Sequence, residues 1–347
     1  MISSQVSKAR KRRIYSVEAL LVALCLIAGV FVSGIFNNEG DAFTVSPLHV
    51  AQHEYGGASL PSAEKQKVVK MPRSGAEIRF LHLNVCNYFV EEDPKRSVHD
   101  RSIKSIKDRD AVADVIAAGE ADVVGLCEMG GNHALADLQA RLEKRGKKYP
   151  YGFVLERAGE ERALAMLSRY PFHRNDSRQN VTVPEGNALN MLRGILDVTV
   201  DVQDGRMFRF LGVHLKSKRD LNGTADTVRR RESYAVRLVL NEVIASSQGM
   251  PLLVFGDFND GPTEPAVQII LGKRAGKNGL TRLKPLDSRG ERWTIFYGGG
   301  EEYLSYDHLL VNRTLRTRIG RSYESGIIDI PQAKEAGDHR ALWVDLR

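Results

Sequence analysis

Short apolar runs separated by polar turns recur along most of this chain, and between them lie longer segments with helical spacing of apolar residues. Leu252 to Phe255 is an unbroken apolar run of the kind that a strand buried on both faces shows. Gly256 then lets the backbone turn, and Asp257, Asn259 and Asp260 follow where such a strand would emerge. Similar strands are expected at Ile78 to Val85, Ala121 to Cys127, Leu164 to Ser168, Gly194 to Val202, Phe208 to Leu215, Tyr306 to Val311 and Ala341 to Leu346. Helical spacing predicts helices at Ser102 to Ala118, Ala134 to Arg145 and about Val228 to Ala245. Strands and helices alternate irregularly, and both faces of the strands need cover. The expected fold is therefore α/β, two packed mixed β-sheets flanked by helices.

The amino terminus departs from this pattern. Val17 to Phe36 is a 20-residue apolar stretch whose one charge is Glu18, and it directly follows Lys8, Arg10, Lys11, Arg12 and Arg13. That length spans a bilayer, and the basic flank favours a cytoplasmic amino end. The expected organisation is a basic segment over residues 1–16, an N-terminal transmembrane helix acting as signal anchor over 17–36, a linker over 37–75 and a folded domain over 76–347. A cleaved signal peptide is the alternative for 17–36, since Val32-Ser33-Gly34 resembles a cleavage site. Either reading exports the folded domain, tethered to the cell membrane in the first case and secreted in the second.

Charge then loses most of its weight. The chain carries a formal +7, of which residues 1–36 supply +4, leaving +3 downstream. So weak an excess does not by itself argue for a nucleic-acid partner. The three cysteines, Cys25, Cys86 and Cys127, have no metal-ligand spacing and form no even framework.

Chemistry is concentrated at the ends of the apolar runs. Asn84 closes the first, Glu128 the second, His214 the run from Phe210, Asp257 and Asn259 the run from Leu252, and Asp338-His339 precedes the last strand. Polar side chains at the ends of buried strands converge on one sheet edge, where open α/β folds place their ligand sites. Less weight falls elsewhere. His308 adjoins Asp307 and would face away from it on a strand. Arg229, Arg230 and Arg231 read as a solvated helix start, and His82, His99, His133 and His173 lack zinc spacing.

Seven ordered motifs carry a resemblance: LNVCNYF around Asn84, VVGLCEM around Glu128, LSRYPF at Leu167 to Phe172, VHLKSK around His214, VFGDFND around Asp257, SYDHLLV around Asp307 and GDHRALW around His339. From about Ala76 to Arg347 the chain resembles the endonuclease/exonuclease/phosphatase superfamily, the deoxyribonuclease I-like metal phosphoesterases. The resemblance implies a four-layer α/β sandwich, and a Mg²⁺ site, with Mn²⁺ as a substitute, at Glu128, Asn84 and Asp338. It implies His339 as catalytic imidazole, Asp307 as the carboxylate that sets its tautomer, and Asp257 as the group acting on the attacking water. It further implies Asn259 as a donor to a phosphoryl oxygen, His214 as the group that protonates the leaving oxygen, Glu161 as the partner of His214, and Lys216 as a phosphate contact. Where many relatives carry an acidic residue two positions after the first asparagine, this chain has Cys86, a poor ligand for Mg²⁺.

The implied activity is metal-assisted hydrolysis of phosphodiesters by an endonuclease/exonuclease-type enzyme, with nucleic acid among the candidate substrates. A phosphatase or lipid-headgroup phosphodiesterase uses the same site, and a catalytically silent binding protein is the reading from a different class. Oligomeric state is not legible.

Overall fold

The computed structural model describes residues 77–93, 102–184, 190–203, 205–219, 223–247, 249–273 and 276–347. The basic segment, the apolar stretch from Val17 to Phe36 and the linker lie outside the described residues. Among the described residues no helix is long and apolar enough to cross a membrane.

In chain order the elements are β1 (Ile78–Tyr88), α1 (Ile106–Ala118), β2 (Val123–Met129), α2 (Asn132–Glu143), β3 (Tyr151–Arg157), β4 (Glu160–Ser168), β5 (Phe172–Asn175), β6 (Leu196–Asp201), β7 (Met207–His214), α3 (Ala225–Ser246), β8 (Leu252–Asp257) and α4 (Pro265–Leu271). These are followed by β9 (Thr281–Arg282), β10 (Ile295–Tyr297), β11 (Glu302–Leu304), β12 (Asp307–Val311), α5 (Arg313–Ile319), β13 (Ser325–Ile327), α6 (Ala333–Ala336) and β14 (Leu342–Leu346). One six-stranded sheet runs β13-β14-β1-β2-β4-β3, a second runs β5-β6-β7-β8-β12-β9, and β10-β11 is a separate hairpin.

Each large sheet contains one parallel pair, β1 with β2 and β7 with β8, and its other pairings are antiparallel. A parallel pair needs a crossover, and α1 and α3 supply the two. Apolar side chains separate into three buried groups. One, with Phe80, Phe210 and Phe255, fills the space between the sheets. The others lie under α1 and α2 on the first sheet and under α3 and α4 on the second. Helices, sheet, sheet and helices are the expected four layers.

Local chemistry explains the differences from expectation. Helix α1 starts at Ile106 because Ser105 caps it, its hydroxyl accepting from the Asp108 amide at 3.1 Å. Of the strands that periodicity misses, β3, β5, β9 and β13 lie at sheet edges, where half-exposed residues blur the alternation, and β10 and β11 form the separate hairpin.

The two sheets meet closely around Phe255. Its ring fills the space above Gly125 of β2 and Gly212 of β7, where an added Cβ would lie 2.2 and 2.7 Å from ring atoms. Gly256 is constrained by backbone instead: its φ is +148°, and a Cβ there would lie 1.8 Å from the Val213 carbonyl oxygen. Gly256→Ala is therefore expected to destabilise the domain by about 3 kcal/mol. Urea unfolding followed by circular dichroism checks this, and an unchanged midpoint would refute it.

Candidate active site

The topology gathers the polar strand ends at one edge of the two stacked sheets. The parallel strands β1 and β2 bring Asn84 and Glu128 there near their carboxyl ends, and β7 and β8 end there with His214 and Asp257. The antiparallel strand β12 begins there with Asp307, in register with Asp257, and Asp338-His339 stands just before β14, itself antiparallel to β1. Glu128, His214, Asp257, Asp338 and His339 line a cavity there of about 540 Å³, which also receives Arg162, Arg193 and Lys216.

At its floor the Asn84 amide donates to Glu128 Oε1 at 3.3 Å and to Asp257 Oδ2 at 3.1 Å, joining the two sheets. Cys86 and Asn87 have φ of +50° and +54°, producing an irregularity in β1 that turns the Asn87 amide towards Glu128 Oε2, 3.0 Å away. Glu128 has φ +65°, and three consecutive or facing non-glycine residues in the left-handed region represent a local cost. The surrounding pairing of β1 with β2 and of β2 with β4 offsets it.

His339 Nδ1 lies 2.7 Å from Asp307 Oδ2, and its Nε2 is 3.8 Å from Asp257 Oδ2. Burial pulls this imidazole down, but the Asp307 carboxylate and the hydrogen bond to it outweigh that effect. With Asp257 and Asp338 adding, His339 is pushed up to about 10. Burial raises Asp257, and Asp307 and Glu128 add to it against the opposing charge of His339, leaving its carboxyl at about 7. Burial acts upward on Asp307 too, but His339 and His82 hold it well below the usual carboxylate range.

His214 Nε2 is 3.5 Å from Asp257 Oδ2 and 3.8 Å from Glu128 Oε1. Burial, then Arg193 and His339, push it well below the ordinary imidazole value, so it is neutral near pH 7. With Nε2 facing two carboxylates, the N–H belongs on that nitrogen. His214 is thus placed to donate a hydrogen bond within the site.

Two expectations change. Glu161 is exposed and lines a separate cavity with Glu156 and Gly159, because alternation along β4 turns it away from His214. Its neighbour Arg162 enters the site instead, donating to Asn87 Oδ1 at 2.7 Å and standing 3.8 Å from Glu128 Oε2. Lys216 lines the cavity, but its Nζ donates to the Arg219 carbonyl at 2.9 Å. Asn259, at φ +50°, donates its backbone N–H to Asp257 Oδ1 and one side-chain hydrogen to the Leu215 carbonyl, leaving the other hydrogen for a substrate oxygen. Asp338 is exposed at the cavity rim beside Cys86, whose thiol burial and Asp338 push up to about 11.

Some side chains outside the expected set prove to be part of the framework. His82, fully buried, places Nε2 3.0 Å from Asp307 Oδ1 and Nδ1 3.1 Å from the Gly125 carbonyl. The readable signal was its position two residues before Asn84 on the same strand face. Arg229 is not solvated: it is buried and donates to Asp260 Oδ1 at 2.8 Å, bracing the turn after β8. His308 does face away, bonding the Asp260 carbonyl at 2.9 Å.

The donor set suits a hard divalent cation that keeps much of its water. The Asn84 amide donates to Glu128, and Glu128 and Asp338 both line the cavity, while among the described residues no group of three or more His, Cys, Asp or Glu is arranged to hold a metal ion, so a cation there would keep most of its water. Mg²⁺ is commonly held by one or two carboxylates, and a second carboxylate at residue 86 is replaced by a neutral thiol.

Two stacked mixed sheets with carboxylates, amides and two imidazoles at one edge define a four-layer α/β protein with a polar, cation-accepting cleft. The chain belongs to the endonuclease/exonuclease/phosphatase family, whose family model matches residues 89–339. Comparison with curated protein sequences returns no match. Among solved structures, the fold is similar to the human Nocturnin catalytic domain with bound sulfate anion, at TM-score 0.55 and 16% identity over 78% of this chain and 94% of that one. It is also similar to truncated TDP2 from Caenorhabditis elegans, at 0.54 and 14% over 78% and 97%. A third is a doubly substituted mutant of beta toxin from Staphylococcus aureus with bound magnesium ions, at 0.53 and 14% over 78% and 99%.

Proposed function

We propose that this protein is a divalent-metal-dependent phosphodiesterase of the nuclease type, carried on the outer side of a membrane by its amino-terminal segment. The observation that carries the catalytic part is the close meeting of Asn84, Glu128, Asp257, Asp307 and His339 at one sheet edge, under a basic rim. Phosphodiesters resist attack because their oxygens are anionic, so a site must neutralise charge and position a water. The tethering part rests on the apolar stretch from Val17 to Phe36 and its basic flank.

Glu128, Asn84 and Asp338 would hold the cation, Mg²⁺ by donor type, and when bound it neutralises charge on the phosphoryl oxygens. Asp257 accepts a proton from the attacking water. His339, held charged by Asp307, donates to a phosphoryl oxygen as negative charge builds there. His214 and the free hydrogen of Asn259 add neutral donors, while Arg162 and Arg193 draw the anionic substrate in.

The test is a panel of plasmid DNA, single-stranded RNA, bis(4-nitrophenyl) phosphate and phospholipid vesicles, with Mg²⁺ or Mn²⁺ and with EDTA. Hydrolysis of nucleic acid that EDTA abolishes is expected, and no turnover of any substrate would overturn the reading. The pH profile of kcat/KM is expected to rise as Asp257 ionises, at or below about pH 7, and to fall as His339 loses its proton towards about pH 10. The rising limb lies on the low side because a cation at Glu128 favours the neighbouring carboxylate.

A further inference from the structure

The hairpin of β10 and β11 is a wall between two cavities. Its cross-strand pairs are Ile295 with Leu304, Phe296 with Tyr303, and Tyr297 with Glu302. Side chains alternate between the faces of a strand, so the first and third pairs look into the catalytic cavity and the second pair looks out of its far side. There Phe296, Tyr303 and Trp293 line a second, larger cavity of about 1120 Å³. Asp338 lines both, so the two cavities adjoin at the catalytic rim.

The aromatic cluster is preassembled and open. Tyr303 lies 4.9 Å from both Trp293 and Phe296, centroid to centroid. Tyr303 is 63% exposed and Phe296 39% exposed, so both present ring surface to the cavity. Trp293 is held from behind, with the Arg340 guanidinium 4.0 Å from its ring and its Nε1 donating to Glu291 at 2.7 Å. The hairpin is also tied to the catalytic segment: the Phe296 amide donates to the Asp338 carbonyl and the Arg340 amide to the Thr294 carbonyl. A ligand ring on this cluster is thus fixed relative to His339.

We propose that this second cavity is a base subsite, taking the planar base of a nucleotide that flanks the scissile phosphate on a single-stranded nucleic acid. The inference rests on the phosphodiesterase reading and adds the substrate class. Stacking on aromatic side chains tolerates every base, because each has a π-face, and rim groups of both signs, Arg289 and Glu291 among them, offer donors and acceptors to base edges. A lipid surface fits the hairpin less well. Its tip is Gly298-Gly299-Gly300-Glu301-Glu302, without an apolar side chain to insert, and its rings point into a concavity.

The experiment uses the full chain, the double variant Phe296→Ala/Tyr303→Ala, and the ring-retaining double variant Phe296→Tyr/Tyr303→Phe. The substrates are a single-stranded oligonucleotide, the same backbone with abasic residues, and phospholipid vesicles. Removing the rings is expected to raise KM about tenfold or more on the base-bearing strand, with kcat little changed and the abasic KM unaltered. The ring-retaining variant is expected to behave as the parent. An equal loss on both strands, or no change on either, overturns the proposal. So does a loss confined to vesicle phospholipid hydrolysis, which would give the hairpin to a membrane surface. If the parent cleaves neither strand nor any substrate of the panel above, the phosphodiesterase reading fails. The cavity is then tested by quenching of Trp293 fluorescence in a Trp343→Phe background, where quenching by the base-bearing strand alone supports the subsite and its absence refutes it.

Discussion

His339→Ala is expected to lower kcat/KM for a phosphodiester by about 10³-fold, the range in which a positioned acid or base contributes. The reasoning is geometric before it is electrostatic. Nδ1 is committed to Asp307 at 2.7 Å, so Nε2 alone faces the cavity, 3.8 Å from the Asp257 carboxylate. Asp307 is itself held by His82 and by the backbone amide it donates to Thr294 Oγ1. The imidazole therefore has little freedom to turn, and its donor sits where a phosphoryl oxygen above Asp257 would develop charge. Asp307→Asn should cost a comparable factor, since an amide can donate to Nδ1 and reverse the tautomer. Steady-state kinetics on the soluble oligonucleotide check both. A His339→Ala enzyme within about threefold of the parent would remove His339 from the chemistry.

Glu128→Gln is expected to have an effect of similar size for a different reason. The side chain keeps its shape but loses the charge on the carboxylate that Asn84 and the Asn87 amide orient. Loss of a principal carboxylate should weaken divalent-cation binding by at least about tenfold and reduce kcat/KM by about 10³-fold at fixed Mg²⁺. The same variant removes negative charge from beside Asp257, and that change alone would lower the Asp257 pKa. Calorimetric titration of Mg²⁺ separates the two effects. Unchanged cation affinity would reassign the metal position away from Glu128.

The site draws on both sheets. Glu128 belongs to the first sheet and Asp257 and Asp307 to the second, with the Asn84 amide as the hydrogen-bonded link across them. Relative sliding of the sheets would disturb every distance in the cavity, and the contact of Phe255 with Gly125 and Gly212 opposes it. Core packing and catalytic geometry are coupled in this way. Gly256→Ala should accordingly affect activity as well as stability.

Local sequence determined a good deal of this protein. Runs such as Leu252 to Phe255 and Phe210 to Val213 have the length and apolar continuity of central strands, whose side chains need cover on both faces. A strand that is buried to its end delivers its first polar residue at the sheet edge, which is why Asn84, Glu128, His214 and Asp257 were legible as one site. Tertiary structure decided what a one-dimensional pattern does not encode. Which neighbour of a pair enters the cavity, Arg162 and not Glu161, depends on the facing of β4 in its sheet. That His82 reaches Asp307 from a position 225 residues away depends on how the sheets stack. Arg229 becomes a buried brace only because α3 packs over the turn after β8. The aromatic cluster shows the same limit: a chain with 7% aromatic residues is ordinary in composition, but one short hairpin and its flank bring three rings together beside the catalytic rim. Hydrophobic periodicity sets which residues must be inside, a local property of the chain. Pairings between distant segments set which polar groups meet, and those pairings exist only once the sheets have formed.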